Sequence, residues 1–231
     1  TDQSDAPTDA LTWRSLLFVP GSRADRFEKA VAAGADAVCI DLEDAVAPEG
    51  KDGARRETLR FLKERTSGDV AVGLRINGVE TEAGHHDLDA LSDLKGADFI
   101  MIPKVNDVAD VEAVAASCGG RRLITVLETA NGILEARMIA RHPAVIGAIY
   151  GAIDLSADIG CSLDWEAHLY GRSHCALCFG AEGKLLMDTP YLDVKDPEGL
   201  KQTTRRAAKL GIHARSAIHP IVPLRPCSRN R

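Results

Sequence analysis

The chain lacks an excess of basic residues: 28 Lys and Arg stand against 34 Asp and Glu, for a formal net charge of −6. Nucleic-acid and membrane-surface binders carry a positive footprint, so neither partner is expected. No apolar run approaches the ~18–20 residues of a membrane-spanning helix. The opening stretch, TDQSDAPTDALTW, has acids where a secretory signal has a basic segment and an apolar core. Its Ser, Thr, Asp and Pro predict a disordered leader over 1–13. A disulfide framework is also missing, because six cysteines are scattered at 39, 118, 161, 175, 178 and 227. Cys175 and Cys178 form a lone CxxC in a helix-like stretch. That favours a structural role over a zinc or redox one. A reducing, cytoplasmic setting is expected.

What is present is an ordinary globular balance, 45% apolar and 27% charged over 231 residues, and a strict alternation of patterns. Strand-like runs occur at 16–20, 37–41, 72–76, 99–103, 123–128, 145–151, 184–188 and 216–219. Helical patterns fill about 22–33, 51–65, 85–95, 107–117, 131–141, 165–181 and 196–210. Ser22 and Asp107 are expected helix caps. Gly34 and Gly211 follow helix ends, and Pro197 suits a first turn. Eight strands with seven intervening helices describe a TIM (β/α)8 barrel over 14–220. A doubly wound sheet would more often have fewer strands. The tail, 221–231, follows Pro220 with two further prolines, Pro223 and Pro226, and reads as irregular. The barrel is therefore expected without its last helix and without a C-terminal lid.

In such a barrel the chemistry collects where strands end. The second strand ends in Asp41, Glu43 and Asp44; the third holds Arg75 and Asn77; the fourth leads to Lys104. The fifth ends in Glu128 and Thr129, the sixth leads to Asp154, the seventh ends at Asp188 and the eighth at His219. Arg75 is read either as a structural ion pair with a second-strand acid or as a guanidinium that meets a substrate carboxylate. Glu128 and Asp154, on neighbouring strands, suit Mg²⁺, which takes one or two carboxylates and leaves room for substrate and water. Arg23 and Lys29, around the first helix N-terminus, are either a solvated face or a phosphate-binding group.

The segments RSLLFVPGSRADRFEKA, GADAVCIDLEDAVAPEGKDGARRE, LRINGVET, IMIPKVND, VLETANGIL, YGAIDLSADIG and AAKLGIHARSAIHP run in order through nearly the whole domain. This set resembles the HpcH/HpaI aldolase and citrate lyase superfamily, in its citrate lyase β-subunit-like and malyl-CoA lyase branch. The resemblance implies a Mg²⁺-dependent carbon–carbon lyase. It would cleave or form a 3-hydroxyacyl-CoA thioester through a 2-oxo acid and an acyl-CoA, with or without thioesterase activity. It implies Glu128 and Asp154 as metal ligands, Arg75 as the substrate-binding arginine, and Phe18, Arg23 and Lys29 as coenzyme A contacts. Glu43 is the acid implied to support Arg75, and Glu128 also faces the substrate. Homotrimers or homohexamers are implied. In malyl-CoA lyases proton work falls to an acid on the C-terminal lid; this sequence has no Asp or Glu after Glu198. Two alternatives stay open: a class II pyruvate aldolase acting on free hydroxy-oxo acids, and a non-catalytic homologue that binds metal and oxo acid.

Overall fold

The computed structural model describes residues 12–220, apart from 67, 93 and 95. Eight parallel strands close into one barrel in sequence order. They are β1 (Ser15–Pro20), β2 (Ala37–Asp41), β3 (Ala71–Arg75), β4 (Phe99–Ile102), β5 (Arg122–Leu127), β6 (Val145–Tyr150), β7 (Leu185–Asp188) and β8 (Ala214–Ala217). Each pairs with its sequence neighbours, and β8 returns to β1 with Ser15 opposite Arg215 and Leu17 opposite Ala217. The helices are α1 (Phe27–Val31), α2 (Lys51–Glu64), α3 (Glu82–Leu91), α4 (Val108–Ser117), α5 (Ala130–Leu134), α6 (Ala136–Arg141), α7 (Ala152–Ile159), α8 (Leu169–Ala181) and α9 (Pro197–Lys209). The expected (β/α)8 barrel is the fold.

Successive strand residues face opposite sides of a sheet, which divides the core in two. Leu16, Ala37, Cys39, Phe99, Met101 and Ile124 belong to the set that fills the barrel. Leu17, Val38, Ile40, Val72, Leu74 and Ile100 pack against the helices. Gly73 makes room inside for Phe99, whose carbonyl oxygen would lie 2.4 Å from a Cβ at that position. Trp13 closes the floor, 3% exposed, with its ring 5.4 Å from that of Phe99. Trp13 therefore belongs to the barrel and not to the leader expected over 1–13. Residues 1–11 of that leader, and the tail 221–231, lie outside the described residues, as does the question of a last helix and lid.

Several local expectations change. Ser22 caps nothing; a short 3-10 turn, Ala24–Arg26, leads into α1 without a side-chain cap. The third helix starts earlier than 85, because Thr81 Oγ1 accepts the Gly84 N–H at 2.9 Å. The helix expected over 131–141 breaks at Glu135 into α5 and α6. Helix α7, not expected at all, follows β6 directly and carries Asp154 in its first turn. Strand β8 stops at Ala217, before His219. Asp107 does cap α4, and Pro197 opens α9. Gly34 and Gly211 adopt φ of +87° and +90° beyond the ends of α1 and α9, a region that favours glycine.

Candidate active site

The alternation that turns Cys39 into the barrel also turns Asp41 inward, at the last position of β2. Arg75 ends β3 and sits in register with Asp41. Two inward side chains on adjacent strands are within reach of each other, and these two lock together. Arg75 Nε donates to Asp41 Oδ1 at 2.7 Å and Nη2 to Oδ2 at 2.6 Å. This is the two-pronged pairing that fits a guanidinium to a carboxylate. Asp41 is fixed in turn by the backbone N–H groups of Glu43 and Ala45, at 2.9 and 3.1 Å. The third arm of Arg75, Nη1, lies 2.9 Å from Glu43 Oε2 and 3.5 Å from Asp44. Its guanidinium stacks over the Phe18 ring, 5.2 Å from the centroid. Burial works against the charge on Arg75, but the hydrogen bonds and fields of Asp41, Glu43 and Asp44 outweigh it and raise its pKa.

Arg75 thus has two braces: Asp41, which grips it with two hydrogen bonds, and the expected Glu43, which meets its third arm. Glu43 is shared, with Oε1 accepting from Lys104 Nζ at 2.6 Å. Burial still raises the Glu43 pKa, against the opposing pull of Arg75 and Lys104.

Glu128 follows β5 and is 3% exposed. Its Oε1 accepts the backbone N–H of Lys104 at 2.9 Å. Burial first, and the like charge of Asp154 second, push its pKa up to about 8. Gly151 closes over this carboxylate: a Cβ there would come within 2.6 Å of Glu128 Cβ and 2.7 Å of Oε2. Among the described residues, Lys104 is the one non-glycine with a positive φ, +50°. That twist lets its N–H reach Glu128 while its ammonium reaches Glu43.

A cavity of about 340 Å³ opens between the two halves, lined by Phe18, Asp41, Arg75, Glu128, Asp154 and Ile218 among others. Burial and the neighbouring Asp154 disfavour the charge on Glu128, and a small divalent cation in place of its proton would relieve that cost. Among the described residues no three or more His, Cys, Asp and Glu come together for a metal. The pair would therefore leave most coordination positions open to water and ligand.

Other expected site residues stand apart. Arg23 is exposed and paired with Asp25 at 2.9 and 2.8 Å. Lys29 is exposed on α1, and neither residue lines the cavity. Asp188 is not a rim acid. Its neighbour Met187 faces the barrel interior, so Asp188 faces out, 1% exposed, and binds Arg172 and Arg215. Cys175 and Cys178 lie on the buried side of α8, where burial raises both thiol pKa values. The prominence of Asp41 was available from sequence by counting alternate residues from Cys39. The contact from the Lys104 backbone to Glu128 depends on a local twist that left no sequence signal.

The family described as HpcH/HpaI aldolase/citrate lyase matches residues 14–220. A (3S)-malyl-CoA thioesterase of Cereibacter sphaeroides is 40% identical over 213 residues, covering 91% of this chain and 74% of its own. The citrate lyase β subunit of M. tuberculosis, solved with oxaloacetate and magnesium, superposes with a TM-score of 0.81 at 33% identity, over 94% of this chain and 96% of its own. A structure from Mycobacterium tuberculosis holding magnesium, acetoacetate and coenzyme A gives 0.80 at 33% identity, over 93% and 80%.

Proposed function

Because the chain belongs to the HpcH/HpaI aldolase/citrate lyase family, we propose that its barrel mouth carries out Mg²⁺-dependent cleavage or formation of a carbon–carbon bond between a 2-oxo acid and an acyl-CoA. The observation that carries this reading is the buried Glu128, held at a pKa of about 8 beside Asp154 and facing Arg75 across one cavity. Glu128 and Asp154 would hold the ion. When bound, Mg²⁺ supplies a Lewis acid and a template for the carboxylate and adjacent oxygen of the oxo acid.

The remaining work falls to the chain's own groups. A guanidinium has five N–H donors. Those of Arg75 that face Asp41 and Glu43 fix its plane. The others remain for the negative charge that develops on the enolate or oxo acid. Phe18, Val126 and Ile149 give the cavity apolar lining, which would keep water from the reacting carbons once substrate is bound. Arg23 and Lys29, with Phe18, are our proposed coenzyme A contacts; Arg23 would exchange Asp25 for a phosphate. A citryl-, malyl- or citramalyl-CoA type substrate fits this set, and the related thioesterase supports thioester hydrolysis as an accompanying activity. No helix among the described residues is long and apolar enough to cross a membrane. The described cysteines are free, which supports a reducing, cytoplasmic setting. A homotrimer or homohexamer is supported by apolar side chains exposed on α5, α6 and α8, including Leu134, Met138 and Leu177.

The test is incubation of acyl-CoA thioesters with glyoxylate, oxaloacetate or pyruvate, with and without Mg²⁺, followed by mass spectrometry. A Mg²⁺-dependent adduct, or its cleavage, is expected. Arg75→Lys should lower kcat/KM by about 10²–10³-fold while the barrel stays folded, since Lys cannot supply the planar fork. Near-normal turnover would refute the clamp. The placement of Arg23 and Lys29 outside the cavity keeps one alternative alive, a class II pyruvate aldolase on free hydroxy-oxo acids. Failure of the wild type to bind coenzyme A would favour it. Metal-dependent binding of oxo acid without any product would mark a non-catalytic homologue.

A further inference from the structure

A second cavity, of about 270 Å³, lies beside the catalytic one and shares Ile153, Thr189 and Pro190 with it. It is built around buried charge. Asp188, turned outward at the end of β7, receives Arg172 from α8 and Arg215 from β8. Arg172 Nε donates to Oδ1 at 2.8 Å and Arg215 Nη2 to Oδ2 at 2.6 Å. All three residues line the cavity. The arginines are 5% and 6% exposed, so one buried carboxylate faces two buried guanidiniums. A surplus buried charge is costly unless a further anion or water compensates it.

Among the described residues, none nearby supplies that anion. Arg172 lies between the Tyr150 and Trp165 rings, 4.9 and 4.7 Å from their centroids. Arg206 also stacks on Trp165 at 4.5 Å and carries its own partner, Glu166. Asp193 lines the cavity but is exposed, and it accepts the Lys195 backbone N–H. The Tyr191 hydroxyl donates to Asp196. Among the described residues, three buried polar atoms on cavity-lining residues have no partner: Arg172 Nη1, Arg215 Nε and Thr189 Oγ1. Buried donors left this way are rare and call for a ligand or water that completes them. The rest of the lining, with Leu163, Trp165, Pro190 and Leu192, is apolar.

We propose that this cavity is a carboxylate-binding site separate from the catalytic one, where Arg172, Arg215 and Thr189 hold a small carboxylic acid with a short apolar body. The site does not depend on the reaction proposed above.

The test uses the full chain with a chelator, so that metal at the catalytic mouth plays no part. Succinate, propionate and inorganic phosphate are titrated by calorimetry. Saturable binding of a carboxylate is expected, weakened roughly tenfold by Arg215→Lys and several-fold by Thr189→Val. Arg75→Lys, in the other cavity, should leave it unchanged. If Arg215→Lys does not fold, Thr189→Val decides. Absence of saturable binding overturns the proposal and leaves a water-filled cavity. So does binding that is lost in Arg75→Lys but kept in Thr189→Val. In a second titration, with saturating pyruvate and Mg²⁺ in place of the chelator, binding that persists is expected of a separate site. Mutual exclusion there overturns the separation of the two cavities.

Discussion

Lys104 ties the two halves of the catalytic mouth together. Its backbone N–H serves Glu128 and its ammonium serves Glu43. It does so from a left-handed conformation, φ +50°, which costs a residue with a Cβ about 1–3 kcal/mol. Glycine would relieve the strain and keep the N–H, while alanine would keep both. Lys104→Gly should therefore be at least as stable as Lys104→Ala, by about 1 kcal/mol in chemical denaturation, the reverse of their order in a helix. A more stable alanine variant would remove the claim of strain. Glu43 loses the Lys104 ammonium equally in both, so the comparison isolates the backbone.

At the level of elements, the site follows from alternation along strands that each end one layer above a filled interior. Sequence reading placed β2 at 37–41, as observed, because four apolar residues and a charged end leave little choice. The family resemblance points to Glu43, which does contact Arg75; counting faces along β2 adds Asp41 as the two-pronged partner. Helix α7 escaped notice because its short run, Ala152–Ile159, follows β6 with only Gly151 between them. The same glycine shapes the acid pair. Its φ of −95° suits any residue, so Gly151→Ala is a purely steric change. The added methyl would press on Glu128 at 2.6 Å. Mg²⁺ affinity measured by calorimetry should fall at least about tenfold, with the circular dichroism spectrum unchanged. Undiminished affinity would place the metal elsewhere. Arg172 and Arg215 were legible only as charges, since their convergence on Asp188 joins α8, β7 and β8 across 43 positions of chain.

For the whole molecule, the raised Glu128 pKa links stability to pH. The unfolded chain gives up this proton near the ordinary value of 4.5, whereas the folded chain holds it to about 8. The folded state binds more protons across that window, so this group's contribution to stability falls as pH rises from about 4.5 to 8. At the proposed metal site Mg²⁺ would displace the Glu128 proton and reverse the trend. The rise in Tm on adding Mg²⁺ should be roughly twofold larger at pH 8.5 than at pH 6; an equal rise at both would exclude the linkage. Closure of the barrel has a further consequence, in the order of synthesis. Every strand pairs with its neighbour in sequence except at one seam, where β8 meets β1. The Arg75 clamp is complete once β3 has emerged, but the acid pair waits for α7 and the buried arginine pair for Arg215. At ~5–20 residues per second, the nascent sheet spends on the order of ten seconds between those events with two unpaired edges. The pace of translation between β3 and β8 therefore sets how long this chain is open to edge-to-edge association before its own last strand seals it.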